Sequence, residues 1–345
     1  MKFSLFVHME RVNADEPQQR LYDQMIELCR MADDGGMHAI WTGEHHGMDF
    51  TIAPNPFLNL VDLARRTRNV RLGTGNVVAP FWHPIRLAGE AAMADLIMDG
   101  RLDLGIARGA YTFEYDRMHP GLDAWNAGLM MRELVPAVQK LWQGDYEHDG
   151  EFWKFPKTTS APKPVQHPHP PIWIAARDPN SHDFAVANGC NVQVTPLHLG
   201  DEEVISLMDR FNTACAAHPE IPRPKIMVLR HTYVADSEAD AVKGAEELNV
   251  FYNYFGAWFK NQRPISQGLI QTLTPDEIAA HPFYTPQAMR KNNIVGEPPE
   301  VIARLKSYEA LGYDEFSLWI DSGMSFARKK ASLTRFVRDV MPAFA

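Results

Sequence analysis

"RLGTGNVVAPFWHPIRLAGEAAMADLIMDGRLDLGIARG", residues 71–109, carries the decision about the fold. Its first part, with Val70, is a short apolar run ("VRLGTGNVV") that reads as a strand. "HPIRLAGEAAMADLIMDG" then reads as a helix, with Pro84 in the first turn, where a missing N–H is harmless. "RLDLGIARG" is a second strand. Strand, crossover helix, strand is the unit of a parallel sheet.

The same rhythm extends in both directions. Upstream lie the strand "FSLFV" (3–7), a helix ended by Gly35-Gly36, the strand "HAIWTG" and the helix "NPFLNLVDLARRT". Downstream, the helix "DAWNAGLMMRELVPAVQKLWQG" precedes an interruption, in which "YEHDGEFWKF" reads as a hairpin around Asp149-Gly150 and "APKPVQHPHPP" as extended chain. Strands "PIWIAA", "NVQVT", "PKIMVLRHTYVA" and "DEFSLWI" follow, separated by helices. Residues 260–298 form one long irregular tract, of the kind used for lids and binding loops. Eight strands each followed by helix predict an α/β fold, a (β/α)₈ TIM barrel forming a single domain over 1–345, because closure removes both edge strands.

Composition excludes more than it assigns. With 345 residues, 45% hydrophobic and 22% charged, the chain can fill a large core. A formal charge of −9 argues against nucleic-acid binding, which needs clustered Lys and Arg. Three scattered cysteines without CxxC give no disulfide framework and suit a reducing, cytoplasmic compartment. The opening residues are too short an apolar run for a signal peptide, and no run is long enough to span a membrane.

In a barrel of this type, chemistry gathers at the carboxyl ends of the strands. Those ends present His8; Glu44, His45 and His46; Thr74, Gly75 and Asn76; and Arg108 with Gly109. Adjacent histidines on extended backbone point apart and do not chelate one ion together, and no HExxH or CxxC completes a metal site. The pair reads equally as loop-entrance hydrogen bonders or as catalytic groups. "LGTGNVV" lacks the third glycine and following helix of a dinucleotide fingerprint. Arg108 suits a phosphate clamp or a surface ion pair. Asp178, Pro179 and Ser181 suit a helix start, which attracts anions or simply caps itself.

Taken together and in order, "GMHAIWTGEHHG", the 71–109 stretch, "HPHPPIWIAARDPNSHDFAVANG", "IVGEPPEVIARL" and "RFVRDVMPAF" resemble the bacterial-luciferase-like flavin-dependent oxidoreductases, the luciferase-like monooxygenases. The resemblance implies a barrel that binds reduced FMN at its rim and oxygenates a small organic substrate with O₂ through a C4a-(hydro)peroxyflavin. By position, Arg108 and Ser181 would hold the phosphate, with backbone at Gly109 and Ala110. Thr74 and Asn76 would border the isoalloxazine, beside a non-prolyl cis peptide. His45 would be the catalytic histidine, oriented by Glu44, and His8, His46, Tyr111 and Trp173 would line the pocket. The 260–298 tract would be the mobile loop that closes over the flavin. A separate NAD(P)H:flavin reductase and a homodimer are further expectations. Relatives using F420 for hydride transfer, and non-catalytic flavin-binding subunits, keep those alternatives open. The chain departs from the pattern at Arg177-Asp178, where an acid stands beside the expected phosphate.

Overall fold

The computed structural model describes residues 1–260, 263–320 and 323–344. The chain runs β1 (Lys2–Phe6), α1 (Gln18–Asp34), β2 (Ala39–Thr42), α2 (Pro56–Arg66), β3 (Arg71–Thr74), α3 (Pro84–Ile97), β4 (Leu102–Ala107), α4 (Ala124–Gln143), β5 (Ile172–Ala175), α5 (Pro179–Ala187), β6 (Asn191–Val194), α6 (Asp201–Ala217), β7 (Ile226–Val234), α7 (Glu238–Lys260), α8 (Pro298–Leu311), β8 (Glu315–Trp319) and α9 (Phe326–Arg335). Each of β1 to β8 pairs in parallel with the next, and β8 closes on β1 with Lys2 opposite Glu315 and Phe6 opposite Trp319. The hairpin Tyr146–Asp149 with Lys154–Thr158 sits outside this ring.

Side chains alternate between two cores, as strand periodicity requires. From β1, Phe3 and Leu5 join the outer cluster under the helices, while Phe6 belongs to the inner one. Trp41, Trp173, Met227 and Trp319 also point inward. Glycines make room for these rings: a Cβ on Gly73 would collide with the Trp41 ring, and one on Gly105 with the Thr74 carbonyl. Removing a buried ring of this size costs about 3–5 kcal/mol.

Local signals in the sequence explain the helix starts. Asn55 caps α2 by accepting from Phe57 N at 2.9 Å, and Pro56 takes the first helical position. Past α1, Gly36 adopts φ 76, the left-handed conformation expected there.

Two features differ from the sequence reading. Helix α7 does not pack on the outside of the barrel. It crosses the rim, with Phe255 on Trp319 (5.6 Å between ring centres), Trp258 on Phe113 (5.3 Å) and Phe259 on Tyr111 (5.3 Å). The outer position between β7 and β8 is filled by α8, whose Val301, Leu305 and Tyr308 enter the outer core. The 260–298 tract is also more ordered than its composition suggested, although its residues 261 and 262 lie outside the described residues. It contains a small hairpin (Ile265–Ser266 with Leu269–Ile270) and helices Pro275–Ala279 and Pro286–Asn292, each capped by a threonine before a proline. Its strand Ile294–Gly296 adds to β7.

Candidate active site

Beyond β2 the chain turns through Gly43 into Glu44, His45 and His46, and beyond β4 it enters the short helix Thr112–Met118. These two βα connections meet. Glu114 Oε2 lies 3.0 Å from His45 Nδ1, and Glu114 Oε1 accepts from His46 N at 2.7 Å. Glu44 Oε1 lies 2.7 Å from His46 Nε2, while Glu44 Oε2 accepts from Val78 N and from the Trp82 indole, both at 2.8 Å. Both carboxylates are buried.

The expectation that Glu44 orients His45 is therefore corrected. Glu44 is committed to His46 and to the start of the 77–81 segment, and Glu114 orients His45. The reason is the strand-end geometry: successive side chains leave extended backbone on opposite sides, so Glu44 reaches the residue two positions on, not its neighbour. Sequence reasoning passed over Glu114. The available signal was its place three residues after Tyr111, on the same face of a helix turn as the rim.

A carboxylate only accepts, so His45 Nδ1 donates to Glu114, which leaves Nε2, on the opposite edge of the ring, as the nitrogen available to exchange a proton. Around this ring stand His8 at 5.5 Å, Phe50 at 5.3 Å and Tyr111 at 5.3 Å. Burial drives the His8 pKa well below the ordinary imidazole value, reinforced by the neighbouring His45 and His231, so His8 is neutral. Burial opposes charge on His46 too, but there the Glu44 hydrogen bond and the Glu44 and Glu114 charges outweigh it and its pKa is raised. The arrangement can move a proton at a water-poor spot through His45 Nε2.

The residues facing the expected flavin position divide into those that are free to bind and those already engaged. The Gly75–Asn76 peptide is cis. Asn76 Oδ1 and Gln193 Nε2 are buried without a hydrogen-bond partner among the described residues. Such an acceptor and donor match the N–H and carbonyl groups along the pyrimidine edge of an isoalloxazine, which satisfies the requirement that buried polar atoms be paired. Thr74 instead exchanges two 2.8 Å bonds with Gly105, Oγ1 to O and N to Oγ1, so it braces β3 against β4. Trp173 lies below this level, its indole donating to Asp103 Oδ1 at 3.1 Å and its ring edge-on to Trp41 at 5.4 Å. It forms the floor of the barrel interior.

At the phosphate end, Arg108 is exposed and donates to Ala124 O at 2.8 Å, at the start of α4, and Gly109 has φ 93. Arg132 of the same helix donates to Asn180 O at 3.1 Å, which brings the start of α5 to that flank. Asp178 caps α5, accepting from Ser181 N at 3.0 Å, and the Ser181 hydroxyl lies 2.8 Å from Asp178 O and 2.9 Å from Asp178 Oδ2. This resolves the departure at Arg177-Asp178: the acid is a cap. The residues present fit a phosphorylated flavin. Among the described residues, no group of three His, Cys, Asp or Glu side chains is placed to hold a metal ion.

Comparison with known proteins agrees with this geometry. The family model of luciferase-like monooxygenases matches residues 1–315. The oxygenase component of flavin-dependent trigonelline monooxygenase from Acinetobacter baylyi is 72% identical over the whole chain and 96% of its own length. The crystal structure of monooxygenase RslO1 from Streptomyces bottropensis superposes with a TM-score of 0.84 at 26% identity, covering both chains completely. The oxygenating constituent of 3,6-diketocamphane monooxygenase from Pseudomonas putida, in complex with FMN, shares the fold at a TM-score of 0.78 and 19% identity, over 99% of this chain and 98% of that one. A closed parallel barrel, a buried histidine–carboxylate network at its rim and a full-length sequence match converge: the chain belongs to the luciferase-like monooxygenase family and is a flavin-dependent monooxygenase.

Proposed function

We propose that this chain is the oxygenase component of a two-component enzyme whose substrate is trigonelline or a closely similar N-methylpyridinium carboxylate. The observation that carries this reading is the 72% identity, end to end, with the Acinetobacter baylyi trigonelline oxygenase component. Reduced FMN, delivered by a separate NAD(P)H:flavin reductase, supplies the electrons that activate O₂. Arg108 and the backbone at Gly109 and Ala110 hold its phosphate, and Ser181 joins them once its hydroxyl exchanges Asp178 for a phosphate oxygen. Asn76, braced by Thr74, and Gln193 meet the ring edge. His45 accepts or returns a proton through Nε2 at the reacting centre, while Glu114 fixes its ring and tautomer. Glu44 holds His46 as part of the wall, and Tyr111, Phe50 and Phe6 exclude water. The 260–298 tract, which follows α7 in sequence, closes above the flavin.

Leu58 of α2 and Met93 and Leu96 of α3 are exposed apolar side chains on adjacent helices, which favours a homodimer through that side. Free Cys29, Cys190 and Cys215 suit a reducing cytoplasm. Full-length identity to an oxygenase also favours FMN over F420, and retention of Glu44, His45, His46 and Arg108 favours a catalytic chain over a degenerate subunit.

An oxygen electrode tests the proposal. With reduced FMN supplied by a separate reductase, the protein should consume O₂ in a trigonelline-dependent manner. Turnover of trigonelline with F420 in the absence of O₂ would contradict the chemistry, and substrate-dependent NADH oxidation by the protein alone would contradict the two-component arrangement.

A further inference from the structure

One buried carboxylate next to His45 has no role in the chemistry described so far. Glu10 follows β1, its side chain only 4% exposed, with Oε1 accepting from the Trp319 indole at 2.9 Å and lying 3.8 Å from His8 Nδ1. Rings surround it. Trp319 meets His8 at 5.2 Å and Phe255 at 5.6 Å, and stacks on His231 at 4.1 Å. Phe255 lies 5.3 Å from Phe50, which in turn lies 5.9 Å from Tyr111. His8, neutral through burial, adds no competing positive charge.

A carboxylate at the edge of a box of aromatic faces is the chemistry that recognises an organic cation. Ring faces carry partial negative charge, an ionised carboxylate adds a full one, and a dry setting strengthens both. A quaternary nitrogen gains most, because it has no N–H to satisfy and little hydration to lose. The same box is contiguous with His45, so a cation held there places the rest of its ring at the proton-transferring group.

We propose that Glu10 and the faces of Phe50, Tyr111, Phe255 and Trp319 form the subsite for the substrate's permanently charged ring nitrogen, making the enzyme selective for a quaternary pyridinium over an uncharged ring of the same shape. This deepens the trigonelline reading and rests on it. The rings pack against one another, so ligand entry displaces the α7 side of the box, where Phe259 is exposed.

Calorimetric titration of the protein loaded with oxidised FMN tests the subsite, using three probes: trigonelline, its isostere 3-methylbenzoate, which keeps the carboxylate on an uncharged ring, and N-methylpyridinium, which lacks the carboxylate. Glu10→Gln should weaken trigonelline and N-methylpyridinium by about tenfold or more, and leave 3-methylbenzoate within about twofold. Glu10→Asp should restore part of the preference, and Phe255→Leu should weaken the two cations by a few-fold. Unchanged FMN affinity and circular dichroism confirm that each variant is folded. Equal weakening of the pyridinium probes and 3-methylbenzoate, no change in any, or no binding of N-methylpyridinium to the wild type would overturn the subsite. Wild type that binds N-methylpyridinium in a Glu10-dependent way yet fails to oxygenate trigonelline would leave the subsite standing and remove the substrate assignment.

Discussion

At the floor of the barrel, Glu315 and Asp103 accept hydrogen bonds from the indoles of Trp41 (3.0 Å) and Trp173 (3.1 Å). At the rim, Glu44 and Glu114 are paired with histidines and backbone N–H groups. All four carboxylates are buried, and Glu44 also accepts from the Trp82 indole, but only the rim pair has imidazole partners. An indole N–H cannot exchange its proton near neutral pH, whereas an imidazole can. Burial raises the Asp103 pKa, opposed by the Arg71 charge, and raises that of Glu315 to about 7, opposed by bonds from Ser4 and Trp41. The floor is a packed plug in which burial favours the protonated Glu315 and Asp103 is paired with Arg71, and the rim is a network able to move a proton. Residue type alone, buried Glu or Asp, does not separate the two; the partners do.

The largest effect that can test this contrast is at the rim. His45→Ala should lower turnover by about 10²-fold or more, with flavin affinity retained. Single-turnover oxidation of bound reduced FMN in the presence of substrate measures it, and unchanged turnover would remove His45 from proton transfer.

The floor gives the next largest effect, in stability. Because the folded pKa of Glu315 is raised from the carboxylate value of 4.5 to about 7, the native state holds this proton more tightly than the unfolded chain. Stability associated with it is full below about pH 4.5 and declines as pH rises toward 7. Glu315→Gln keeps an acceptor for Trp41 and removes that penalty. Its stability relative to wild type should therefore improve by about 2–3 kcal/mol between pH 5 and pH 8, measured by urea unfolding. A difference that stays flat with pH would show that Glu315 is ionised in the native barrel.

Smallest of the three, Glu114→Gln keeps an acceptor for His45 Nδ1 but loses the charge. Turnover should fall by about tenfold with KM little changed, and the His46 imidazole, whose pKa Glu114 helps to raise, should titrate lower by NMR. Reduced turnover without any change in the His46 titration would assign Glu114 a packing role only.

The eight strands were legible because a strand buried on both faces is written as a short run of Val, Ile and Leu, and the helix starts because proline, asparagine and aspartate mark them. His45 and Arg108 were legible as strand-end residues. Glu114 and Glu10 were not, because each acts through a contact between distant segments: Glu114 lies 69 residues from His45, and Glu10 lies 309 from Trp319. Helix α7 was recognised as a helix, but its position over the rim depends on which of its faces finds Trp319, Phe50 and Phe113, and linear periodicity does not contain that information. Thr74 shows the converse error. It stands at a strand end, as expected, but its hydroxyl is engaged by Gly105.

Anaerobic titration of the protein with reduced FMN, followed by flavin fluorescence or absorbance, bears most directly on the rim as a flavin cradle. The expected result is saturable one-to-one binding, weakened markedly in Arg108→Ala and kept in His45→Ala. No saturable association of the wild-type protein with reduced FMN would contradict it.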